Sequence, residues 1–202
     1  MLDKFKQYGL VRIKDIDDSI LIDLKYATTD NFLSKRLYPV AMDAYCEPGL
    51  AERLVAAQRD LKSVDNRLSL VVLDAARPVS VQREMFEHVR GTEQEEYIAN
   101  PYGEFGGGFH NFGMAIDVAI VDESNKMLDF GTEYDSFNET AHSDANAEMV
   151  KSGKLSIAAY KNRALLYYVM GKNDMLPLCN EWWHFQREFS EESKRRYLLL
   201  DF

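Results

Sequence analysis

Cysteine is scarce in this chain: two residues in 202, Cys46 and Cys179, with no C-x-x-C pair. That excludes a disulfide-stapled scaffold and a cysteine-built zinc module. Two free thiols in a reducing compartment are the expectation, with a single bridge between them left open by the spacing. Long apolar runs are also lacking. None approaches the roughly 20 residues that a helix needs to cross a bilayer. Met1 to Gly9 show no basic stretch followed by an apolar stretch and a small-residue cleavage site, so the expected location is cytoplasmic. Clusters of Lys and Arg are absent, and the formal net charge is -9 with a pI of about 5.0. A basic face for nucleic acid is thereby excluded, as is attraction to an anionic membrane. No internal repeat or low-complexity tract occurs.

What is present is core material. The hydrophobic fraction is 46% and the charged fraction 28%, which suits one globular domain over residues 1–202. Ile20-Leu21-Ile22 suggests a short strand, and residues 27–49 a long ordered loop. Leu50, Leu54, Ala57, Leu61 and Val64 recur at helical spacing after Pro48, which suits a first-turn position. Leu70 to Leu73 has the character of a buried strand. Ser80 to Arg90 has that of a second helix, with Val81, Met85, Phe86 and Val89 on one face. Gly91 to Gly108 is a long polar, glycine-rich loop, and such loops are often functional. Met114 to Val121 and Trp182 to Gln186 are expected strands. Ser156 to Gly171 is a capped helix, and Ser190 starts a short C-terminal one. Helices and strands follow in mixed order without βαβ repetition, so the expected class is α+β. A small, mostly antiparallel sheet flanked by helices would carry the site.

Two segments carry the chemistry: His110-Asn111-Phe112-Gly113-Met114-Ala115-Ile116-Asp117 and Glu181-Trp182-Trp183-His184. Two imidazoles and one carboxylate suit a tetrahedral Zn²⁺ site whose fourth position is left for water. Strand alternation points Met114, Ile116, Val118 and Ile120 into the core and puts Ala115, Asp117 and Ala119 on the other face. The two alanines would leave room there for an ion and a substrate. The odd separation of His110 from Asp117 needs a break in the strand, and Asn111-Phe112-Gly113 supplies one. In the last strand His184 would share a face with Trp182, and Trp183 with Phe185. Glu181 would sit at the strand's start as general base and then general acid. Arg77, stiffened by Pro78, could stabilise an oxyanion. Spacing alone leaves blander readings open: structural histidines, packing tryptophans, and Asp74–Arg77 as a surface ion pair. His88 and His142 are expected on the surface without chemistry.

Read together, four segments narrow this. Asp23 to Phe32 (DLKYATTDNF), Asp74-Ala75-Ala76-Arg77-Pro78, His110 to Asp117 and Glu181 to His184 occur in this order. Over residues 10–187 the chain resembles the D-alanyl-D-alanine dipeptidase family of VanX type, and the family's pattern His-x6-Asp then Glu-x-x-His is matched in full. The resemblance implies one Zn²⁺ on His110, Asp117 and His184. It implies Glu181 as catalytic base and Arg77 as the group stabilising the transition state. It also implies Tyr26 and Asp135 as the residues holding the free amino group of a small dipeptide. One departure stands out: where the family usually has serine two residues before the first histidine, this chain has Gly108. The implied reaction is hydrolysis of D-Ala-D-Ala or a related small dipeptide. Two alternatives remain, a peptidoglycan D,D-carboxypeptidase or L-alanyl-D-glutamate endopeptidase on the same fold, and a zinc-bearing interaction module without catalysis. A homo-oligomer is compatible with the sequence.

Overall fold

The computed structural model describes residues 2–202. Strand β1 (Val11–Arg12) pairs antiparallel with β3 (Tyr45–Cys46) in a two-stranded sheet near the N-terminus. The main sheet has five strands in the order β2 (Leu21–Ile22), β4 (Ser69–Asp74), β5 (Ala115–Val121), β7 (His184–Gln186) and β6 (Leu176–Pro177). Only β2 and β4 pair in parallel; the other pairs are antiparallel. The α+β class with a small, mostly antiparallel sheet is what the sequence pattern implies.

Six helices accompany the strands among the described residues: α1 (Leu2–Gln7), α2 (Ile13–Ile16), α3 (Pro48–Val64), α4 (Val79–Val89), α5 (Asn146–Lys151) and α6 (Ile157–Gly171). Helix α3 starts where the sequence says it should. Pro48 occupies the first turn, and the Glu47 side chain accepts from the Leu50 amide at 2.9 Å. Leu50, Leu54, Ala57 and Leu61 are buried, whereas Val64 at the frayed end of the stripe is exposed. Ser156 caps α6 by accepting from the Ala159 amide at 3.0 Å. Helices α3 and α6 pack on each other; α3 also packs on β4, and α6 on β5. Leu54, Leu61, Leu166 and Val169 thus share one core with Ile116, Val118 and Ile120. Among the described residues no helix is long and apolar enough to cross a membrane.

Three sequence expectations shift. Every residue of β5 is buried: Asp117 lines the cavity, but Ala115 and Ala119 pack into hydrophobic clusters, so they leave no open room above the sheet. Strand β7 begins at His184, not Trp182, because the two tryptophans lie in a turn. Strand alternation therefore does not govern them. Trp182 stacks on Phe130 at 4.2 Å, while Trp183 meets Tyr134 edge-on and lines the cavity with His184. The C-terminal helix is a 3-10 turn, Glu191–Arg196, without a Ser190 side-chain cap.

Two irregularities place the site. The β4–β5 register shifts between Val72 and Asp74, which sets Asp74 opposite Asp117; Asp117 in turn lies opposite His184 on β7. Three polar side chains thus form one row across three strands. Ahead of β5, Phe109–Phe112 form a 3-10 turn that ends at Gly113 in the left-handed region, φ 70°. That turn brings His110 back towards Asp117. A Cβ on Gly113 would also lie 2.7 Å from the end of Leu10. Gly113→Ala should therefore cost about 1–3 kcal/mol, the strain of a left-handed non-glycine residue. Equilibrium denaturation measures it, and an unchanged midpoint would remove the turn from this account.

Candidate active site

All seven residues singled out in the sequence line one cavity of about 410 Å³: Tyr26, Arg77, His110, Asp117, Asp135, Glu181 and His184. His110 Nε2, His184 Nδ1 and Asp117 Oδ1 converge to 3.1–3.2 Å of one another. Neighbours fix which atoms face inward. His110 Nδ1 lies 2.7 Å from the Ala75 carbonyl, so it carries the proton and Nε2 presents a lone pair. The Gln186 amide donates to the Glu188 carbonyl at 2.7 Å, which turns its Oε1 to His184 Nε2 at 3.0 Å. His184 therefore protonates at Nε2 and presents Nδ1. These tautomers follow from the hydrogen-bond network.

Three lone pairs pointing at one another repel unless a cation lies between them. Ligands about 2.0–2.2 Å from a tetrahedral zinc sit about 3.3–3.5 Å apart, close to the spacing here. The three buried side chains therefore fit a divalent metal. Burial alone would push the Asp117 carboxyl up. Positive charge on the side of the two imidazoles, a shared proton where the metal would otherwise lie, overcomes that and holds it below the usual carboxylate range. Its other oxygen accepts from the Tyr134 hydroxyl at 2.8 Å.

Asp74 and Arg77 are buried, not a surface pair. Arg77 donates from Nε and Nη2 to Asp74 Oδ2 at 2.9 and 2.6 Å, and from Nη1 to Gln82 at 2.9 Å. Tyr38 donates to the other Asp74 oxygen at 2.7 Å. The guanidinium lies 5.2 Å from the Tyr26 ring centre and 4.0 Å from Asp117 Oδ2. Burial works against its charge, but Asp74 together with Tyr26, Tyr38 and Tyr134 outweighs burial and raises its pKa. This is a fixed cation facing the cavity.

Tyr26 and Asp135, 109 residues apart in sequence, meet through a hydroxyl–carboxylate hydrogen bond of 3.0 Å. Burial raises the Asp135 pKa to about 8, the Tyr26 bond opposing and Asp117 adding to it. Glu181 Oε2 lies 3.6 Å from His184 Nδ1, and burial raises this carboxyl too. Of the remaining histidines, His88 is exposed, while His142 is half-buried and lies 3.2 Å from the Tyr97 hydroxyl.

Sequence reasoning missed several members of the site. Tyr134 bridges Asp117 to the Tyr26 hydroxyl, the latter at 3.3 Å. Its one signal was adjacency to Asp135. Arg163, fully buried, donates to the carbonyls of Phe130, Thr140 and His142 and to Asn146 Oδ1. It thereby ties both ends of the loop that carries Tyr134 and Asp135. Gln186 and Asp74 orient a histidine and the arginine, roles invisible without tertiary structure.

Asp135 generates a stability prediction. Its folded pKa lies above the ordinary 3.8, so its contribution is present at low pH and lost as pH rises towards about 8. In metal-free protein, Asp135→Asn should gain Tm relative to wild type between pH 5 and pH 9 by at least about 3 °C, the order expected of ~1 kcal/mol in a chain of this size. A Tm difference that stays constant with pH would refute the assignment.

Comparison with known proteins points to one family. A family model described as D-ala-D-ala dipeptidase matches residues 6–199. A D-alanyl-D-alanine dipeptidase of Escherichia coli is 29% identical over 180 residues, covering 88% of this chain and 83% of that protein. A D-alanyl-D-alanine dipeptidase of Synechocystis sp. is 24% identical over 166 residues, covering 69% and 67%. With nearly the whole length matched and a metal-fitting triad in the cavity, this chain is a metallopeptidase that belongs to the D-ala-D-ala dipeptidase family.

Proposed function

We propose that residues 1–202 form one zinc dipeptidase domain that hydrolyses D-Ala-D-Ala or a related small dipeptide. The observation that carries this is the tautomer-fixed triad with two further carboxyls in the same cavity. Glu181 stands 3.6 Å from one ligand, and Asp135 shares the same cavity on Tyr26. His110, Asp117 and His184 would hold the Zn²⁺, which supplies an acidified water and polarises the scissile carbonyl.

The chain's own groups do the rest. Glu181 takes a proton from the attacking water and passes it to the leaving amine. Its raised pKa suits both directions of transfer. Arg77, immobilised by Asp74 and Gln82, stabilises the oxyanion of the tetrahedral intermediate without having to reorganise. Tyr26 and Asp135 bind the substrate's ammonium. An ammonium also restores the charge on a carboxyl whose pKa burial has raised. Tyr134 keeps Asp117 oriented by donating to the oxygen turned away from the histidines. The dipeptidase names of the two relatives support this reading over an endopeptidase one.

A panel of D,D- and L,D-dipeptides assayed with zinc tests the reaction, and no turnover of any of them would sink it. Glu181→Gln should keep one zinc per chain by metal analysis while kcat falls about 10²–10⁴-fold, the usual yield of a positioned general base. Loss of the zinc would instead make Glu181 a ligand. His110→Ala should abolish stoichiometric zinc binding, and a variant that still binds one zinc tightly would exclude His110 from the metal site.

A further inference from the structure

The cavity extends well beyond the residues used so far. Its outer part is walled by the glycine-rich loop before His110 and by the C-terminal 3-10 turn, and both supply lining residues, Gly107, Gly108, Glu191 and Lys194 among them. Lys194 is unusual there. Its side chain is only 3% exposed, although it belongs to a surface turn. Its ammonium donates to the Gly107 carbonyl at 2.8 Å and lies 4.6 Å from the centre of the Phe109 ring. Lysine is rarely buried to this degree without a charged partner. The partner here is Glu191, three residues earlier on the same turn, at 2.6 Å.

That pair is lopsided. The Lys194 end is buried and anchored, whereas the Glu191 side chain is 56% exposed. A largely solvent-exposed carboxylate thus occupies the acceptor position of a fixed ammonium at the cavity wall. The neighbouring wall offers little else for an anion. Gly108 has no side chain, and its amide is already committed to Asn111 Oδ1 at 2.9 Å. A Cβ at that position would lie 3.0 Å from the Ala99 Cβ. Lys194 and Asp135 have no common hydrogen-bond partner, yet both line this one cavity with the metal-fitting triad.

We propose that Lys194 is a specificity residue that binds the C-terminal carboxylate of the substrate, which displaces the Glu191 side chain. This rests on the dipeptidase reading and adds a second charge to it. A cavity with an anion for the ammonium and a cation for the carboxylate reads both termini, so it selects chains two residues long. Tripeptides and carboxyl-capped dipeptides lose one of the two ion pairs.

The test compares a dipeptide acid, its C-terminal amide and the corresponding tripeptide on the zinc-loaded enzyme. Wild type should prefer the acid over the amide by about 10–100-fold in kcat/KM, the range of a charge-assisted hydrogen bond. Lys194→Met should collapse that preference to within about threefold, chiefly by raising KM for the acid with kcat little changed. Glu191→Gln leaves the lysine and its Gly107 bond in place and removes the competing carboxylate. It should lower KM for the acid and leave the amide unaffected, which keeps the proposal open to refutation if Lys194→Met does not fold. Equal cleavage of acid and amide by wild type would overturn the Lys194 assignment alone. So would an acid preference that survives in folded, zinc-bound Lys194→Met, or a Glu191→Gln variant whose KM moves equally for both substrates or for neither. Failure to cleave any of the three would sink the dipeptidase reading and this assignment with it.

Discussion

Two buried carboxylates on adjacent strands are the constraint around which this molecule is built. The register shift in β4 sets Asp74 directly across from Asp117, and neither reaches bulk water. Like charges at opposed positions of a sheet destabilise it, and burial sharpens the repulsion. The structure divides the problem. Asp74 is neutralised by the fork of Arg77 and a hydroxyl from Tyr38. Asp117 faces two imidazole lone pairs on one oxygen and the Tyr134 hydroxyl on the other. The first carboxylate yields an immobile cation, and the second yields a site that requires one. Both products of the division face the same cavity.

The surrounding architecture keeps these groups from relaxing. The Arg77 amide donates to the His110 carbonyl at 2.9 Å, and Asn111 donates back to the Arg77 carbonyl at 2.9 Å, so the histidine turn and the arginine move as one unit. The C-terminal tail closes over them: the Leu200 amide donates to the Asn111 carbonyl, and the Leu200 carbonyl accepts from Val79 at the start of α4. Such mutual bracing is what preorganisation consists of, since donors already in place need no rearrangement when charge develops.

How much of this was legible in the sequence depended on how local the signal was. His110, Asp117, Glu181 and His184 stand in short segments whose residue types suit a metal, and Arg77 stands beside a proline that fixes its backbone. Helices α3, α4 and α6 were legible because their apolar spacing and first-turn residues are local too. Tyr134 and Asp74 were not, because a buried tyrosine or aspartate acquires its role only from what tertiary folding puts opposite it. The tryptophan pair misled for a related reason. Alternation holds inside a strand, but β7 begins one residue after Trp183, so a pattern with the right residues had the wrong boundary. The openness expected above Ala115 and Ala119 failed because a period of two says which face a residue takes, not what covers that face.

Burial, with a smaller push from the charge on Asp117, raises the pKa values of the two remaining carboxyls of the cavity. Asp74, Asp117, Glu181 and Asp135 bring four negative charges when ionised, against one from Arg77. The proposed zinc adds two positive charges, which leaves the group one negative charge in excess. In the metal-free cavity burial keeps Glu181 and Asp135 partly protonated near neutral pH. A substrate ammonium carries the missing positive charge. In the proposed reaction its arrival at Asp135 would therefore also lower the proton affinity of Glu181, which must be ionised to accept a proton. On the proposed roles, recognition of the amino end and activation of the base would be coupled through one shared field, and a peptide without a free amine would meet a site one charge short of its working state.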